Sequence, residues 1–410
     1  MHPEAHRLWR SPRWTFAVLL AALGVLGPLS VDTYLPAFSG IAQTLGASPV
    51  QMQQTLSVYL FGFGFMCLFH GALSDSFGRR PMVLWGLVIF TLASVGCAMS
   101  HTIGQLIFFR ILQGLATGAC IVISRAIPRD MYAPGEAQQV MSMVTIYFGA
   151  AAAVAPLIGG WLFVGAGWRS IFWFLAAVGV VMWVANFRLL PETLHLSHRQ
   201  SFDVRNLMRG YLKLGRDPRF LILAIAVGVP INGSFIYIVS TPVFLGQHLG
   251  LAPTQFFWMF LATLVGIMGG AWASGRLAGK IAPKRQIRHG FVVMLCALAI
   301  NLAANLLFKA HVAWAFWPLS LYCFGWALMN PALTLLLLDL HPERRGMAAS
   351  LQIFMGSMAS SLTAGVLAPL VMHSTVSLAV MSVAILAVSL TAWILAHRRW
   401  PEIGKAVAPA

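Results

Sequence analysis

Apolar stretches, each long enough to cross a bilayer, follow one another along all 410 residues. A membrane helix needs roughly 20 consecutive apolar residues. Cutting the chain at charge clusters and at Gly, Pro and Asn punctuation predicts twelve spans. They lie at 14–38, 52–73, 81–99, 103–127, 138–163, 168–190, 220–245, 254–275, 287–308, 313–338, 347–371 and 376–397. Only 9% of residues are charged, against about 25% in soluble proteins, which excludes a soluble globular fold. The expected class is an all-α polytopic membrane protein. The stretch from Trp14 to Phe38 is too long for a signal-peptide core and lacks a small-residue cleavage site, so it reads as a retained span.

The net charge of +16 invites a nucleic-acid reading, but the cations sit in short clusters between apolar runs, where they set orientation. With the N-terminus inside, 24 of the 27 Lys and Arg fall on the cytoplasmic side. Only Arg169 and Lys309 fall outside, and Arg110 alone lies deep in a span. No nucleic-acid partner is expected, and both termini are predicted to be cytoplasmic. Cys67, Cys97, Cys120, Cys296 and Cys323 all lie in apolar runs without CxxC spacing, so neither a disulfide framework nor a zinc site is indicated.

The longest loop separates spans one to six from spans seven to twelve. The predicted organisation is an N-terminal six-helix bundle over 1–190, a cytoplasmic linker over 191–219 and a C-terminal six-helix bundle over 220–410. In the linker, Val204, Leu207, Met208, Tyr211 and Leu212 recur at helical spacing, with Arg205, Arg209, Lys213 and Arg216 between them. That is the pattern of an interfacial amphipathic helix on an anionic leaflet; a disordered linker is the other reading. After span two the chain reads GALSDSFGRR from Gly71, and after span eight GRLAGKIAPKR from Gly275, 204 residues later. Two halves sharing a degenerate loop signature imply parallel repeats around a central cavity, as in many secondary transporters.

The segment GALSDSFGRRP at 71–81 resembles the signature loop of the major facilitator superfamily. Further likenesses are Arg110-Ile-Leu-Gln113-Gly114 in span four and Ala155-Pro156-Leu-Ile-Gly159-Gly160 in span five, which resembles the motif of the twelve-helix drug:H+ antiporters. Asp32-Thr-Tyr34-Leu35-Pro36, Arg129-Asp130-Met131 and Pro191-Glu192-Thr193 narrow the likeness to the Bcr/CflA branch. The resemblance covers essentially the whole chain. It implies the major facilitator fold, two pseudo-symmetric six-helix bundles, and a monomer in the bacterial cytoplasmic (inner) membrane. It implies proton-coupled efflux of drugs of phenicol, bicyclomycin or sulfonamide type, driven by the proton gradient with no cofactor. Leu23-Gly24-Val25 lacks the second acidic residue of some relatives, so the expected cargo is neutral or monocationic and lipophilic.

Ten of the eleven acidic residues lie in cytoplasmic loops or at span ends on that side; Asp32 alone is deep in a span. Intramembrane carboxylates are costly and functional by default. Counted from the outer ends of their spans, Asp32 and Arg110 lie at similar depth, about 9–10 Å in. Asp32 is the expected proton carrier, in competition with substrate, and a structural carboxylate bonded to its own backbone is the alternative. Arg110 and Gln113 either tune Asp32 or organise span ends. The resemblance implies that Gly71, Asp75, Gly78, Arg79 and Asp130 form a cytoplasmic gate, with Asp75 also suited to the N-terminus of span eleven. Arg80 fits either that gate or simple orientation. Pro156, Gly159 and Gly160, with the small residues of span five, suggest a hinge against Gly266, Gly269, Gly270 and Gly275 of span eight, or static packing.

Candidate substrate contacts are Tyr34, Tyr59, Gln113, Asn232, Phe235, Tyr237, Tyr322, Asn330 and Gln352. Asn301 and Asn305, four apart on one helix face, suit either a substrate or a helix-contact bond. His70, His101, His311 and His373 are scattered near span ends and carry no expected chemistry. An enzyme is disfavoured because no second deep acid, HExxH or serine with a base is present. A channel would need rings of like residues. The rival that remains is a proton-coupled symporter, or an exporter of a small metabolite, from the same superfamily.

Overall fold

A computed structural model describes residues 12–132, 134–195, 199 and 202–402. The basic residues Arg7, Arg10 and Lys405, used in the charge count, lie outside the described residues. Among those residues the chain is helical and contains no strand. All twelve predicted spans fall in helices. Ten are long and apolar enough to cross a membrane, and a bent pair makes an eleventh. Span five lies in the 33-residue helix Pro134–Ala166, in which Val154–Ala166 is a shorter apolar stretch.

Helix starts follow capping chemistry, because the first N–H groups of a helix lack internal partners. Ser48 and Gln51 form a reciprocal capping box before Pro49–Phe77. Thr102 caps span four and Ser374 caps span twelve. Asp217 caps span seven, accepting from the Arg219 N–H at 2.9 Å.

Three spans are not continuous α-helices, and proline accounts for each. Span one is helical over Arg13–Asp32 and then turns through the 3₁₀ segment Leu35–Ala37, where Pro36 contributes no N–H and disfavours helix in the residue before it. Span seven is split into Pro218–Gly228 and Asn232–Val239, bent by 46° around Pro230. No water in the bilayer core can satisfy carbonyls freed by such a break, so neighbouring side chains do. Ser389 Oγ donates to the Ala226 carbonyl at 3.0 Å, Tyr322 OH to Pro230 at 2.5 Å and Ser382 Oγ to Gly233 at 2.6 Å. Span eleven widens into a π-helical turn at Thr363–Leu367, just before Pro369.

The chain divides into two compact units, 1–204 with 253–257 and 205–252 with 258–410. Spans one to six belong to the first and seven to twelve to the second, except that the first residues of span eight, to Phe257, group with the first. The amphipathic helix forms at Val204–Gly215, and all but its first residue belongs to the second unit. Tyr211 and Leu214 are buried, and a Cβ at Gly210 would lie 2.7 Å from Met347 Sδ of span eleven. Part of the stripe predicted to lie on lipid is therefore taken up by the protein, while Val204 and Leu212 stay exposed.

Small residues let the helices approach closely. In the second unit, Gly290 of span nine and Gly325 of span ten face each other backbone to backbone. In the first, a Cβ at Gly114 would strike the Tyr59 carbonyl, which brings span four onto span two at Arg110.

Candidate functional site

Arg110 is fully buried in the first unit. Its Nη1 donates to the Ser30 carbonyl of span one at 3.1 Å and to Gln113 Oε1 at 2.6 Å. Gln113 Nε2 in turn donates to Ser94 Oγ at 2.8 Å. The guanidinium carbon lies 4.7 Å from the Tyr34 ring centre and 4.3 Å from that of Tyr59. Nε and Nη2 have no hydrogen-bond acceptor. A buried cation without a counter-ion must be held by dipoles and π faces. Desolvated cation–π contacts are worth about 2 kcal/mol each. Tyr34 is fixed by its hydroxyl against Thr55 Oγ1 at 2.8 Å, and Tyr59 OH donates to Thr117 Oγ1 at 3.3 Å.

Asp32 is the last helical residue before the break in span one. It is half-buried between buried Val31 and Thr33. Among the described residues it accepts no hydrogen bond and makes no ion pair, so the alternative of a carboxylate bonded to its own backbone does not hold. Asp32 and Arg110 form no ion pair with each other, and both belong to the first unit. The span-five motif meets this point: a Cβ on Gly159 would collide with the Thr33 carbonyl, and one on Gly160 would lie 2.9 Å from the Pro253 carbonyl. Pro156 is buried in the same helix.

Within the second unit, glycines of span eight meet span ten. Gly266 and Gly270 of span eight are occupied by span ten, where a Cβ would strike the Ser320 and Phe324 carbonyls. Gly269 faces the Phe324 ring, and Gly275 has nothing nearby.

At the loop after span two, Arg79 bridges Asp75 at 2.5 Å and Asp130 at 2.9 Å and donates to Ser74 Oγ. Ser74 Oγ bonds the Gly71 carbonyl at 2.9 Å, and Thr193 donates to Asp130 at 3.4 Å. Gly78 has φ 102° and ψ 155°, a region essentially closed to other residues. Sequence reasoning used Glu192 only as a family marker and missed its role. Its carboxylate accepts the Arg79 N–H at 3.0 Å and the Arg80 N–H at 3.3 Å, capping span three where negative charge is favoured. A Cβ on Gly78 would collide with it. Glu192 also pairs with Arg199 at 3.8 Å, and nothing in the sequence around it pointed to the distant backbone donors. Arg80 donates to the Phe187 carbonyl at 2.7 Å, closing the end of span six.

The other expected contacts separate by burial. Tyr237 and Tyr322 are fully buried, held by Asn301 Nδ2 at 2.6 Å and by the Pro230 carbonyl. Asn305 donates to the Asn301 carbonyl within the same helix, and Asn301 makes the bond between helices, to Tyr237. Asn232 is buried and donates across the break to the Gly228 and Val229 carbonyls, leaving Oδ1 without a donor. Phe235, Asn330 and Gln352 keep partial exposure, and Gln352 donates to Thr334 at 3.4 Å. His70 is buried rather than terminal, with a Cβ on Gly118 passing 2.8 Å from its Nδ1.

Membrane-spanning helices in two units, with the sole deep carboxylate at a helix break, define a polytopic membrane transporter. The sequence profile of the Major Facilitator Superfamily matches residues 20–364, and the chain belongs to that superfamily. It is 29% identical over 370 residues to a bicyclomycin resistance protein homolog of Haemophilus influenzae, covering 87% of this chain and 91% of the relative. It is 28% identical over 313 residues to the multidrug resistance protein MdtL of Escherichia coli, covering 76% and 78%. In fold it matches the crystal structure of a bacterial homolog of the human lysosomal transporter Spinster, with a TM-score of 0.74 at 15% identity over both whole chains.

Proposed function

We propose that the chain is a drug exporter of the bacterial inner membrane that exchanges neutral or monocationic lipophilic molecules for protons by alternating access, with Asp32 as the proton carrier. One observation carries this reading: an unpartnered, half-buried carboxylate at the break in span one, close to a fully buried and only partly bonded Arg110. A carboxylate at that depth is costly to keep charged. Proton uptake removes that cost, and the Arg110 field opposes it, so small changes in hydration or occupancy shift the balance. Substrate at the site and a proton on Asp32 then compete. Relatives named for bicyclomycin and multidrug resistance favour a drug over a nutrient as cargo. The charge distribution supports cytoplasmic termini.

One proton per cycle suffices energetically. A potential of 100 mV supplies about 2.3 kcal/mol per charge and one pH unit about 1.4 kcal/mol. Together they sustain roughly a 500-fold gradient of a neutral solute. In the gate we propose at the signature loop, Asp75, Arg79 and Asp130 hold the cytoplasmic end of the first unit in one state.

The test is a susceptibility panel in a host stripped of its own pumps, comparing the native chain with Asp32→Asn at matched membrane abundance. The native chain raises resistance to at least one lipophilic drug, and Asp32→Asn returns it to the empty-host level. Undiminished resistance with Asp32→Asn removes the coupling scheme.

A further inference from the structure

In the second unit, the end of the amphipathic helix and the loop joining spans ten and eleven enclose a recess of about 270 Å³, lined by Lys213, Leu214, Leu340, His341, Pro342, Glu343 and Arg344. That volume lies just below the range of small-molecule sites, ~300–1,000 Å³, and suits a headgroup better than a whole lipid.

Its charges are unevenly satisfied. Asp217, beside it, is already saturated by the Arg219 backbone and guanidinium, at 2.9 to 3.1 Å, and by His341 at 3.2 Å. The side chains of Lys213 and Arg344 form no hydrogen bond or ion pair among the described residues. Arg344 is not free to sweep away, because its Nη1 lies over Gly210, 3.8 Å from where a Cβ would sit. Two unpaired cations thus border the cavity against one carboxylate, Glu343, and Arg209 on the same helix and Arg216 just past its end stand exposed and unpaired among the described residues. Leu214 and Leu340 give the recess an apolar side. Span seven begins at Pro218 and span eleven at Arg345, so the recess sits at headgroup level, where basic clusters attract anionic lipid.

We propose that this recess binds the phosphodiester headgroup of an anionic phospholipid, held by Lys213 and Arg344 and opposed by Glu343. The site is independent of the transport reading and tests only how the second unit meets its leaflet. Each charge near the surface is worth about fivefold in affinity.

The test titrates the purified full chain in neutral detergent with dioctanoyl phosphatidylglycerol, dioctanoyl phosphatidylcholine and inorganic phosphate, reading the thermal unfolding midpoint. Phosphatidylglycerol should raise it saturably, phosphatidylcholine should bind at least tenfold more weakly, and inorganic phosphate should produce no shift. Lys213→Gln combined with Arg344→Gln should weaken phosphatidylglycerol binding about thirtyfold. Glu343→Gln should tighten it about fivefold, a gain that misfolding cannot imitate and that decides the matter if the double variant fails to fold. Equal binding of phosphatidylcholine, an equal response to inorganic phosphate, or no change in affinity with Glu343→Gln would each overturn the proposal.

Discussion

The two units solve the same structural problems with different chemistry. After span two, the loop is tied to span four through charge: Arg79 reaches Asp75, Asp130 and Ser74. After span eight, the equivalent tie to span ten is neutral: Gln286 Nε2 donates to Ser274 Oγ at 2.7 Å and to the Leu328 carbonyl at 2.8 Å. Mid-membrane the contrast repeats. The first unit buries Arg110 among Tyr34, Tyr59 and Gln113 beside the open carboxylate of Asp32, whereas the second holds Tyr237, Asn301, Tyr322 and Ser382 in neutral bonds. Neutral bonds respond little to protons or to membrane potential. Charged ones respond to both. The proposed switching therefore belongs to the first unit, and the second supplies a stable counterpart.

The sharpest way to break this contrast is Arg110→Ala. It leaves two stacked tyrosines around a void and removes the field at Asp32, so export should fall at least a hundredfold, with reduced protein in the membrane. Arg110→Lys keeps the charge but loses the planar contact with both rings. It should preserve protein level while shifting the pH optimum of export, read in inverted vesicles. An unshifted optimum with normal abundance would make Arg110 a purely structural post. The corresponding cut in the second unit, Tyr322→Phe, loses one bond to Pro230, costs about 1–2 kcal/mol and should leave the pH profile in place.

Next in size are the loop ties. Arg79→Gln copies the neutral solution into the charged unit and leaves Asp75 and Asp130 without their shared partner. Export should drop about tenfold while the thermal midpoint moves little, because exposed Asp75 can be solvated. Gln286→Ala should do the reverse, lowering the midpoint by an amount matching about 1–3 kcal/mol for two orphaned buried groups and sparing the pH profile. Equal transport losses from both would mean that the ties are interchangeable and that charge is incidental.

How far the sequence carries can be judged against these same residues. The spans were legible because apolar length and charge clustering act along the chain, and the loop motif singled out Arg79. Glu192 was not: its partners, the N–H groups of Arg79 and Arg80, are 113 and 112 residues away, and a backbone donor leaves no mark on composition. The span-eight glycines showed that something approaches closely but not what, since Gly266 and Gly270 record only a missing side chain. His70, expected near a span end, is buried because the helix runs on to Phe77, seven residues further.

Two glycines of positive φ sharpen the loop comparison. Gly78 needs φ 102° and sits against the Glu192 carboxylate, while Gly279, in the loop after span eight, has φ 75° in open space. Gly78→Ala should cost about 2–3 kcal/mol and uncap span three. Gly279→Ala should cost only about 1 kcal/mol. Comparable losses in thermal midpoint would show that Glu192 can move aside, and hence that its cap contributes little.

The smallest effect concerns the less exposed of the two charged ties described in the second unit, the one at Asp217; the other, between Arg345 and Asp339, is exposed. Burial works against its charged form, but hydrogen bonds from Arg219, with the charges of Arg219 and His341, outweigh it and hold the carboxyl below its usual value. A group depressed in the folded state stabilises fully above its unfolded value, about 3.9, and loses that contribution as pH falls through the lower folded value. The unfolding midpoint of the purified chain should therefore be insensitive to this group from pH 7 to about 5 and decline below about 4. Asp217→Asn can still cap the helix, so it should flatten the acid limb while changing the neutral midpoint by only a few degrees. An unaltered acid limb would move the sensitivity to the ion pairs of Asp75, Asp130 and Glu192 in the first unit, since the exposed Asp339–Arg345 pair of the second is solvated and contributes little.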